Sequence, residues 1–271
     1  AATLDNQAGA NALGNALNIN VTGLSNAGTL QGGAAGSTIQ VVNALNNSGT
    51  LSLATGGADS SVTADSINNT GTLQSKGAST LNVATAFTNS GTTINQGNLT
   101  LRGTDAAYSV NMTGRLESLA TLDIKGQNGG NGVEITVADT GTLKGATLAV
   151  NSQKLDIQGN SSQGGMLNTS GAMNVDSNQL LMGGSKSRIV AGAGNSVIKV
   201  GGAFNNLGAV YSAGNLNFEA TGISNSATGG MAAGGNLTAK ASSGSIANYG
   251  AFYAGNTLDL DAAIYFTNYG S

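Results

Sequence analysis

Apolar and polar residues alternate along this chain in short runs, each only three to five positions long. Alternation with a period of two predicts a β-strand with one buried face, so runs of this length predict very short strands. No segment combines the 3.6-residue periodicity of a helix with capping residues, and we therefore expect helices to be almost absent. The clearest alternating pairs are Ile39/Val41, Leu81/Val83, Leu99/Leu101, Leu216/Phe218 and Leu258/Leu260.

A second pattern, an apolar residue followed by asparagine and then glycine, repeats along the chain. Its glycines lie at positions 9, 28, 49, 71 and 91, and again at 208, 229, 250 and 270, so the intervals are 19, 21, 22 and 20, then 21, 21 and 20. A fixed period of this length indicates a solenoid. Asparagine tolerates the left-handed backbone region and glycine adopts positive φ without strain, so we expect tight corners at these positions. The predicted corner residues are Asn26, Gly28, Asn47, Gly49, Asn69, Gly71, Asn89, Gly91, Asn206, Gly208, Asn248, Gly250, Asn268 and Gly270.

The period and the short strands together predict an all-β fold, a right-handed parallel β-helix solenoid. Each coil should hold three short strands in about 20–22 residues, which gives roughly 13 coils stacked about 4.8 Å apart. Proline cannot donate to a strand ladder, and the chain contains none. The alternatives are a β-sandwich and a β-propeller, but propeller repeats run about 40–50 residues and carry Trp-Asp marks, and this chain has no tryptophan.

The repeat is uneven along the chain. It is regular over residues 1–102 and 203–271, and it blurs over the irregular middle, 103–202. We interpret 1–271 as one β-helical segment with irregular corners in its middle. Solenoids need polar end caps, and no cap pattern is visible, so the sequence predicts a fragment of a longer rod. Residues 1–271 show no signal-peptide pattern and no apolar stretch long enough to cross a bilayer, so we expect no membrane span within them.

Composition excludes several kinds of chemistry. The chain has no Cys and no His, so disulfides, thiolate nucleophiles, imidazole bases and Cys/His metal sites cannot be built. Charged residues are 8% and the formal net charge is −3, without basic runs, which argues against nucleic acid as a partner. Positions 129–134 resemble a calcium-binding nonapeptide, but they form a single copy with Glu134 in the Asp place. We expect no metal and no cofactor.

Two phrases resemble the repeats of filamentous-haemagglutinin-like exoproteins. They are Ile67-Asn68-Asn69-Thr70-Gly71-Thr72-Leu73-Gln74-Ser75-Lys76-Gly77 and Gly97-Asn98-Leu99-Thr100-Leu101. That family comprises adhesins and contact-dependent inhibition proteins exported by two-partner secretion, and this grammar covers about two thirds of the chain. The resemblance implies a secreted β-helical shaft at the surface of a Gram-negative cell, an outer-membrane transporter as the partner during export, and a target-cell receptor or glycan as the partner of this or a neighbouring segment. The secretion domain of the family carries Asn-Pro motifs, so this chain does not resemble that domain.

The aromatic residues are concentrated near the C-terminus, where most of them follow residue 203. Tyr211 and Tyr253 hold the same place in their repeats, and Tyr249 and Tyr269 lie in Asn-Tyr-Gly corners. Exposed rings stack on sugar faces, so these four tyrosines are candidate glycan or receptor contacts. The alternative, which we favour, is an aromatic ladder that stabilises neighbouring coils by about 0.5–1.5 kcal/mol per pair.

Carboxylates on alternating strands are the other candidates for chemistry. Asp123, Asp156, Asp259 and Asp261 each occupy a polar position, which predicts solvated, outward side chains. Glu219, Lys240 and Asp261 recur at the period of the repeat, so we expect them to stack in one column with alternating charge. A catalytic pair of Glu219 and Asp261 would lie roughly 9–10 Å apart with Lys240 between them, which leaves little room for a sugar ring.

The apolar residues of the repeat, which alternate with polar ones or follow the repeat glycines, should face inward and be nearly fully buried. They are Leu51, Leu73, Leu81, Val83, Leu99, Leu101, Leu216 and Leu258. The interpretation that follows is a non-enzymatic structural shaft that presents a distal binding or toxin element. A receptor- or glycan-binding β-helix segment is the alternative. A β-helical glycan hydrolase or a phage tail fibre ranks third.

Overall fold

The computed structural model describes residues 2–270, and its chain divides into two compact units, Ala1–Glu134 and Ile135–Ser271. Each unit consists of parallel strands stacked into a β-solenoid, with about 21 residues per coil and about 13 turns in all. Within the described residues there is no α-helix, and the one helical segment is a 3-10 turn at Gln127–Gly129. The predicted all-β solenoid is confirmed.

The strands of each unit form a first sheet, with two strand positions per coil, and a second sheet, with one. In the first unit, the first sheet holds β1 (Thr3–Asn6), β3 (Asn18–Val21), β4 (Gly23–Asn26), β6 (Thr38–Asn47), β8 (Ser60–Asn69), β10 (Ser79–Asn89), β12 (Leu99–Gly103), β13 (Tyr108–Met112) and β15 (Thr121–Lys125). Its second sheet holds β2 (Asn11–Gly14), β5 (Thr29–Gly32), β7 (Thr50–Ser52), β9 (Thr72–Ser75), β11 (Thr92–Asn95) and β14 (Arg115–Ser118).

The second unit repeats this arrangement after β16 (Val133–Val137), the strand within which the two units divide. Its first sheet holds β18 (Thr147–Ile157), β20 (Met173–Met182), β22 (Asn195–Val200), β23 (Phe204–Asn206), β25 (Asn215–Ala220), β26 (Ile223–Asn225), β28 (Leu237–Ala241), β29 (Ile246–Asn248), β31 (Leu258–Ala262) and β32 (Phe266–Asn268). Its second sheet holds β17 (Thr142–Gly145), β19 (Met166–Thr169), β21 (Arg188–Ala191), β24 (Ala209–Ser212), β27 (Gly230–Ala233) and β30 (Ala251–Ala254).

Three short strands per coil, as predicted, are clearest near the C-terminus. There β24, β25 and β26 follow one another within a single coil, and each pairs in parallel with its equivalent in the next coil. Earlier in the chain the two first-sheet strands merge into one long strand. For example, β8 pairs with β10 through both halves, with a register shift between Val83 and Ala86. Because the two halves form one strand, the alternation of apolar and polar residues shifts near residue 84 although no turn residues occur there.

The inward columns of apolar side chains form the core of each unit. Seven of the eight residues predicted to be buried are at most 2% exposed, namely Leu51, Leu73, Leu81, Val83, Leu99, Leu101 and Leu216. The prediction for Leu258 is wrong, because its side chain is 45% exposed. Leu258 does follow Leu237 in register. However, among the described strands β31 pairs through this position only with β28, so only one side of Leu258 is covered by a neighbouring coil.

Asparagine side chains form a hydrogen-bonded ladder inside each unit, and all of its members except the exposed Asn268 are buried. Each side-chain Nδ2 donates to the Oδ1 of the asparagine in the next coil, at 2.7 Å in six of the pairs and 2.9 Å in the seventh. The remaining amide proton reaches backbone, as where Asn26 donates to the carbonyl of Thr50 at 2.9 Å. The ladder members are Asn6, Asn26, Asn47, Asn69 and Asn89 in the first unit and Asn206, Asn225, Asn248 and Asn268 in the second.

The predicted reason for the corner glycines is confirmed at Gly9 and wrong at the later corners. Positive φ occurs at Gly9, Asn128, Gly129 and Gly194 among the described residues, so none of the predicted corner residues from Asn26 to Gly270 uses the left-handed region. Instead, successive corners approach too closely for a side chain. A Cβ built on Gly71 would lie under 3.0 Å from the carbonyl oxygen of Gly49, well inside contact distance. Glycine is required there because backbone stacks directly on backbone.

Apolar side chains replace the buried asparagine in the irregular middle. Met112 pairs in register with Asn89, and Met182 pairs with Asn206. Ile157 precedes Met182 in the same column. All three side chains are nearly fully buried. The repeat signature therefore blurs over 103–202 because the inward asparagine is lost there, while the parallel strands continue.

Candidate functional site

Tyr211 and Tyr253 lie in one column on the outer face of the second sheet in the second unit. Tyr211 pairs in register with Ala232, and Ala232 pairs with Tyr253. The predicted equivalence of the two tyrosines is thus confirmed, but they stand two coils apart rather than stacked on each other. Both rings are open to solvent, with exposed fractions of 42% and 63%. Between the two tyrosine positions, the column holds only the small side chain of Ala232.

Tyr249 and Tyr269 form the aromatic ladder that the sequence favoured. Their ring centroids are 5.1 Å apart and the ring planes differ by 14°, which is a stacked arrangement. They follow the ladder residues Asn248 and Asn268, so the corner geometry holds the rings one coil apart. Both rings also remain exposed on their outer sides. A stacked pair of this kind stabilises adjacent coils by about 0.5–1.5 kcal/mol.

The candidate carboxylates do not converge on one site. Asp123 lies 2.5 Å from Lys125 in β15, and Asp156 lies 3.8 Å from Lys154 in β18. In both pairs the acid and base are two residues apart on one strand, and so on the same face. Asp259 and Asp261 lie on β31, where both are exposed. These aspartates are outward residues, as predicted.

The predicted column of alternating charge is confirmed, and it is longer than the sequence analysis found. Glu219 pairs in register with Lys240, and Lys240 pairs with Asp261. The Lys240 Nζ lies 3.6 Å from an Asp261 carboxylate oxygen. Upstream, Asp176 pairs with Lys199 and Lys199 with Glu219, so five successive coils alternate in sign. Asp176 and Lys199 were missed because both lie in the irregular middle, where the repeat signature is lost.

A shallow groove of about 580 Å³ lies on the outer face of the first sheet in the second unit. Its lining includes Ala149, Asn174, Asp176, Val197 and Lys199. Asp176 is the single carboxylate of this lining, and the next coil places Lys199 beside it. Acid–base cleavage of a glycosidic bond needs two carboxyl groups flanking the bond, so this groove lacks the required pair.

Tyr108 is a buried tyrosine at the start of β13. Burial raises the pKa of its phenol well above the usual range, and the nearby Asp123 carboxylate adds to the effect. The hydroxyl donates to the backbone carbonyls of Leu101, at 3.3 Å, and Lys125, at 3.1 Å. Its ring packs over Gly103, where a Cβ would collide with the ring. Tyr108 thus links its own coil, which holds Leu101 and Gly103, to the next coil, which holds Lys125, and its hydroxyl has a structural role.

No group of three or more His, Cys, Asp or Glu side chains that could hold a metal occurs within the described part of the chain. No helix in residues 2–270 is long and apolar enough to cross a membrane. No protein-family model, no curated protein and no solved structure matches this chain.

Proposed function

We propose that this chain is a structural shaft segment of a secreted, cell-surface filamentous adhesin or contact-dependent inhibition protein, where it presents a distal binding or toxin element. The observation that carries the proposal is the repeated joining of each coil to the next within each unit. Parallel strand pairings recur from coil to coil, and in the regular coils an asparagine hydrogen bond accompanies them. This role requires no catalysis, and the repeat grammar supports it.

The mechanism of such a shaft is mechanical. Backbone hydrogen bonds between coils run along the direction of stacking, so a load along that direction is shared by the three strand pairings of a coil. The buried ladder adds a side-chain bond at the corner, where the strands end. Because each coil contacts mainly its neighbours, coils can be added or removed without redesign of the rest.

Export and location follow from the same proposal. The partner during export is the outer-membrane transporter of a two-partner system, and the site of action is the surface of a Gram-negative cell. A chain without cysteine passes through a pore without crosslinks, and this chain has none. The target-cell partner is a receptor or glycan, bound here or by a neighbouring segment.

A receptor- or glycan-binding segment is the second candidate function. The observation in its favour is the exposure of the Tyr211 and Tyr253 rings, which do not contact each other across the alanine between them. Exposed tyrosines present an apolar face and a polar tip to a ligand.

Deletion of one whole coil from the full gene product tests the structural role. Removing 216–236 joins Asn215 to Leu237, and because Leu216 pairs in register with Leu237, every remaining column stays in register. We expect the shortened protein to be exported and to keep its binding to, or inhibition of, target cells. The control is removal of 216–225, about half a coil, which removes β26 and most of β25, so that the second-sheet strand β27 follows where first-sheet strands belong. We expect this variant not to fold.

The outcome of these deletions is decisive in either direction. Folding and export after loss of one coil, together with retained action on target cells, supports a shaft. Loss of that action while folding and export persist contradicts a purely structural role and favours the second candidate. Loss of folding after the whole-coil deletion contradicts the modular solenoid on which the shaft proposal depends.

A further inference from the structure

A trough lies on the outer face of the second sheet in the second unit. Its walls are Tyr211 on β24 and Tyr253 on β30, and the strand between them is β27. The outward residues of β27 are Gly230 and Ala232. A Cβ built on Gly230 would meet nothing within 4 Å, so the space above this strand is open. The floor is therefore nearly bare backbone between two aromatic side chains.

The width of the trough determines which ring fits it. One coil separates the stacked Tyr249 and Tyr269 rings by 5.1 Å, and two coils separate the Tyr211 and Tyr253 positions by about 9–10 Å. A flat aromatic ring that touched both walls would need them about 7–8 Å apart, since each contact is about 3.5–4.0 Å. The two tyrosine positions are thus about 2 Å farther apart than a flat ring needs. A chair-shaped, saturated ring fits this extra width, because its C–H bonds project from both faces.

The charge of this face indicates what the ring carries. The second-sheet strands of this unit, from β17 to β30, contain Lys144 and Arg188 and no aspartate or glutamate, although the chain as a whole has a net charge of −3. Arg188 is exposed. It lies on β21, one coil before the Tyr211 wall, and pairs in register with Ala209, which in turn pairs with the floor residue Gly230. Arg188 therefore stands in the same column as Gly230, two coils before it, and its long side chain must extend along that column to reach the trough. Guanidinium groups bind carboxylates with two parallel hydrogen bonds.

We propose that this trough binds a pyranose ring that carries a carboxylate, as in a uronic-acid polysaccharide. The two tyrosine rings contact the C–H faces of the sugar, Gly230 and Ala232 admit it close to the backbone, and Arg188 binds the carboxylate. The inference rests on the second candidate function and goes beyond the structural role. It also explains why the residue between the two tyrosines is Ala232, because an aromatic side chain at that position would fill the trough.

Titration of the protein with oligogalacturonate, followed by calorimetry, tests the proposal, and the fully methyl-esterified oligomer is the neutral control ligand. We expect the acidic oligomer to bind and the esterified one to bind at least tenfold more weakly. Tyr211→Ala and Tyr253→Ala should each weaken binding by about tenfold, the loss of one aromatic contact. Arg188→Gln should remove the preference for the acidic oligomer.

Ala232→Tyr is the decisive variant, because it fills the trough with a ring that can stack on both walls. We expect its melting temperature to be equal to or above that of the wild type, and oligogalacturonate binding to be lost. Tyr249→Ala, which changes the other aromatic column, should leave binding unchanged. Unaltered binding by Ala232→Tyr, or the absence of wild-type binding at millimolar oligomer, overturns the proposal. Equal binding of the esterified oligomer overturns the assignment to an acidic sugar. The whole-coil deletion of 216–236 also removes the floor strand β27, so loss of target binding in that variant would not separate the two proposals. The point variants keep every coil, so their oligogalacturonate binding tests the trough alone, whereas folding and export of the deletion variant test the shaft alone.

Discussion

Replacement of Asn69 by alanine measures what the asparagine ladder contributes to stability. Asn69 is fully buried, its Nδ2 donates to Asn89 Oδ1 at 2.7 Å and to the Thr92 carbonyl at 3.1 Å, and its Oδ1 accepts from Asn47 Nδ2 at 2.7 Å. The Asn69 Nδ2 also donates to the Thr93 hydroxyl oxygen at 3.2 Å, so alanine removes four hydrogen bonds. The Asn47 amide proton and the Thr92 carbonyl lose this partner, and the Asn47 side chain is itself nearly fully buried.

The magnitude follows from the number of groups left without the bond. A buried polar group that loses its partner costs about 1–3 kcal/mol, so two such groups predict a loss of about 2–6 kcal/mol in the free energy of unfolding. Asn89 Oδ1 is not counted, because it also accepts from the Thr93 hydroxyl at 3.0 Å. With about 2–4 °C per kcal/mol for a chain of this size, the melting temperature should fall by roughly 4–24 °C.

Thermal unfolding followed by far-UV circular dichroism is the assay, and Asn68→Ala is the matched control. Asn68 precedes Asn69 on β8 but points outward, so its replacement should change stability by less than about 0.5 kcal/mol. Hydrogen exchange should show the largest loss of protection in the coils of Asn47 and Asn89, next to the change. Equal melting temperatures for the two variants would refute the reasoning from unsatisfied buried groups.

Three further predictions concern the corners, the charge column and the buried tyrosine. Gly71→Ala should destabilise the protein by several kcal/mol, about 2–4 if the backbone shifts partly to relieve the contact, whereas Gly57→Ala, where nothing lies within 4 Å, should be neutral in thermal melts. Lys240→Glu should lower stability by about 1 kcal/mol through repulsion from both column neighbours, and about 0.5 M salt should remove most of that loss in denaturant titrations. Burial raises the folded-state pKa of Tyr108 above that of the unfolded chain, so its stabilising effect is complete below about pH 10 and is lost as the pH rises further; Tyr108→Phe should flatten this fall in unfolding midpoints.

Each of these predictions has an outcome that contradicts it. Equal melts for Gly71→Ala and Gly57→Ala would mean that stacked corners tolerate a methyl group. A loss at Lys240→Glu that is insensitive to salt would point to packing rather than charge. An unchanged alkaline fall in Tyr108→Phe would assign that fall to other groups.

Much of the fold could be predicted because the coil repeats in the sequence. Leu99 and Leu101 are buried and Thr100 between them is not, as their alternation indicates. The regular spacing of Glu219, Lys240 and Asp261 also gave their pairing directly. A period fixes register because a slip of one residue would turn every side chain to the opposite face.

The remaining features depend on neighbours that a period does not reveal. Leu258 fits the inward pattern, yet its burial depends on a coil on each side. Glycine is needed at position 71 because of the nearby carbonyl of Gly49 and not because of its own φ. Either cause would place a glycine at the same regular spacing, so the sequence cannot distinguish them. The trough was missed because its key residue is Ala232, whose significance lies in the side chain that it lacks.

The asparagine ladder gives each unit a chemical direction. Every amide donates towards the coil that follows it in sequence, so the column presents an oxygen at its first residue, Asn6 or Asn206, and a nitrogen at its last. The nitrogen end of one column can therefore donate to the oxygen end of another, whereas two oxygen ends or two nitrogen ends cannot form this hydrogen bond. A coil that adds to the C-terminal end of an existing stack therefore finds an amide already oriented to donate to it. If coils emerge in order from the N-terminus, each new coil is added at the end of the column where the donor amide lies.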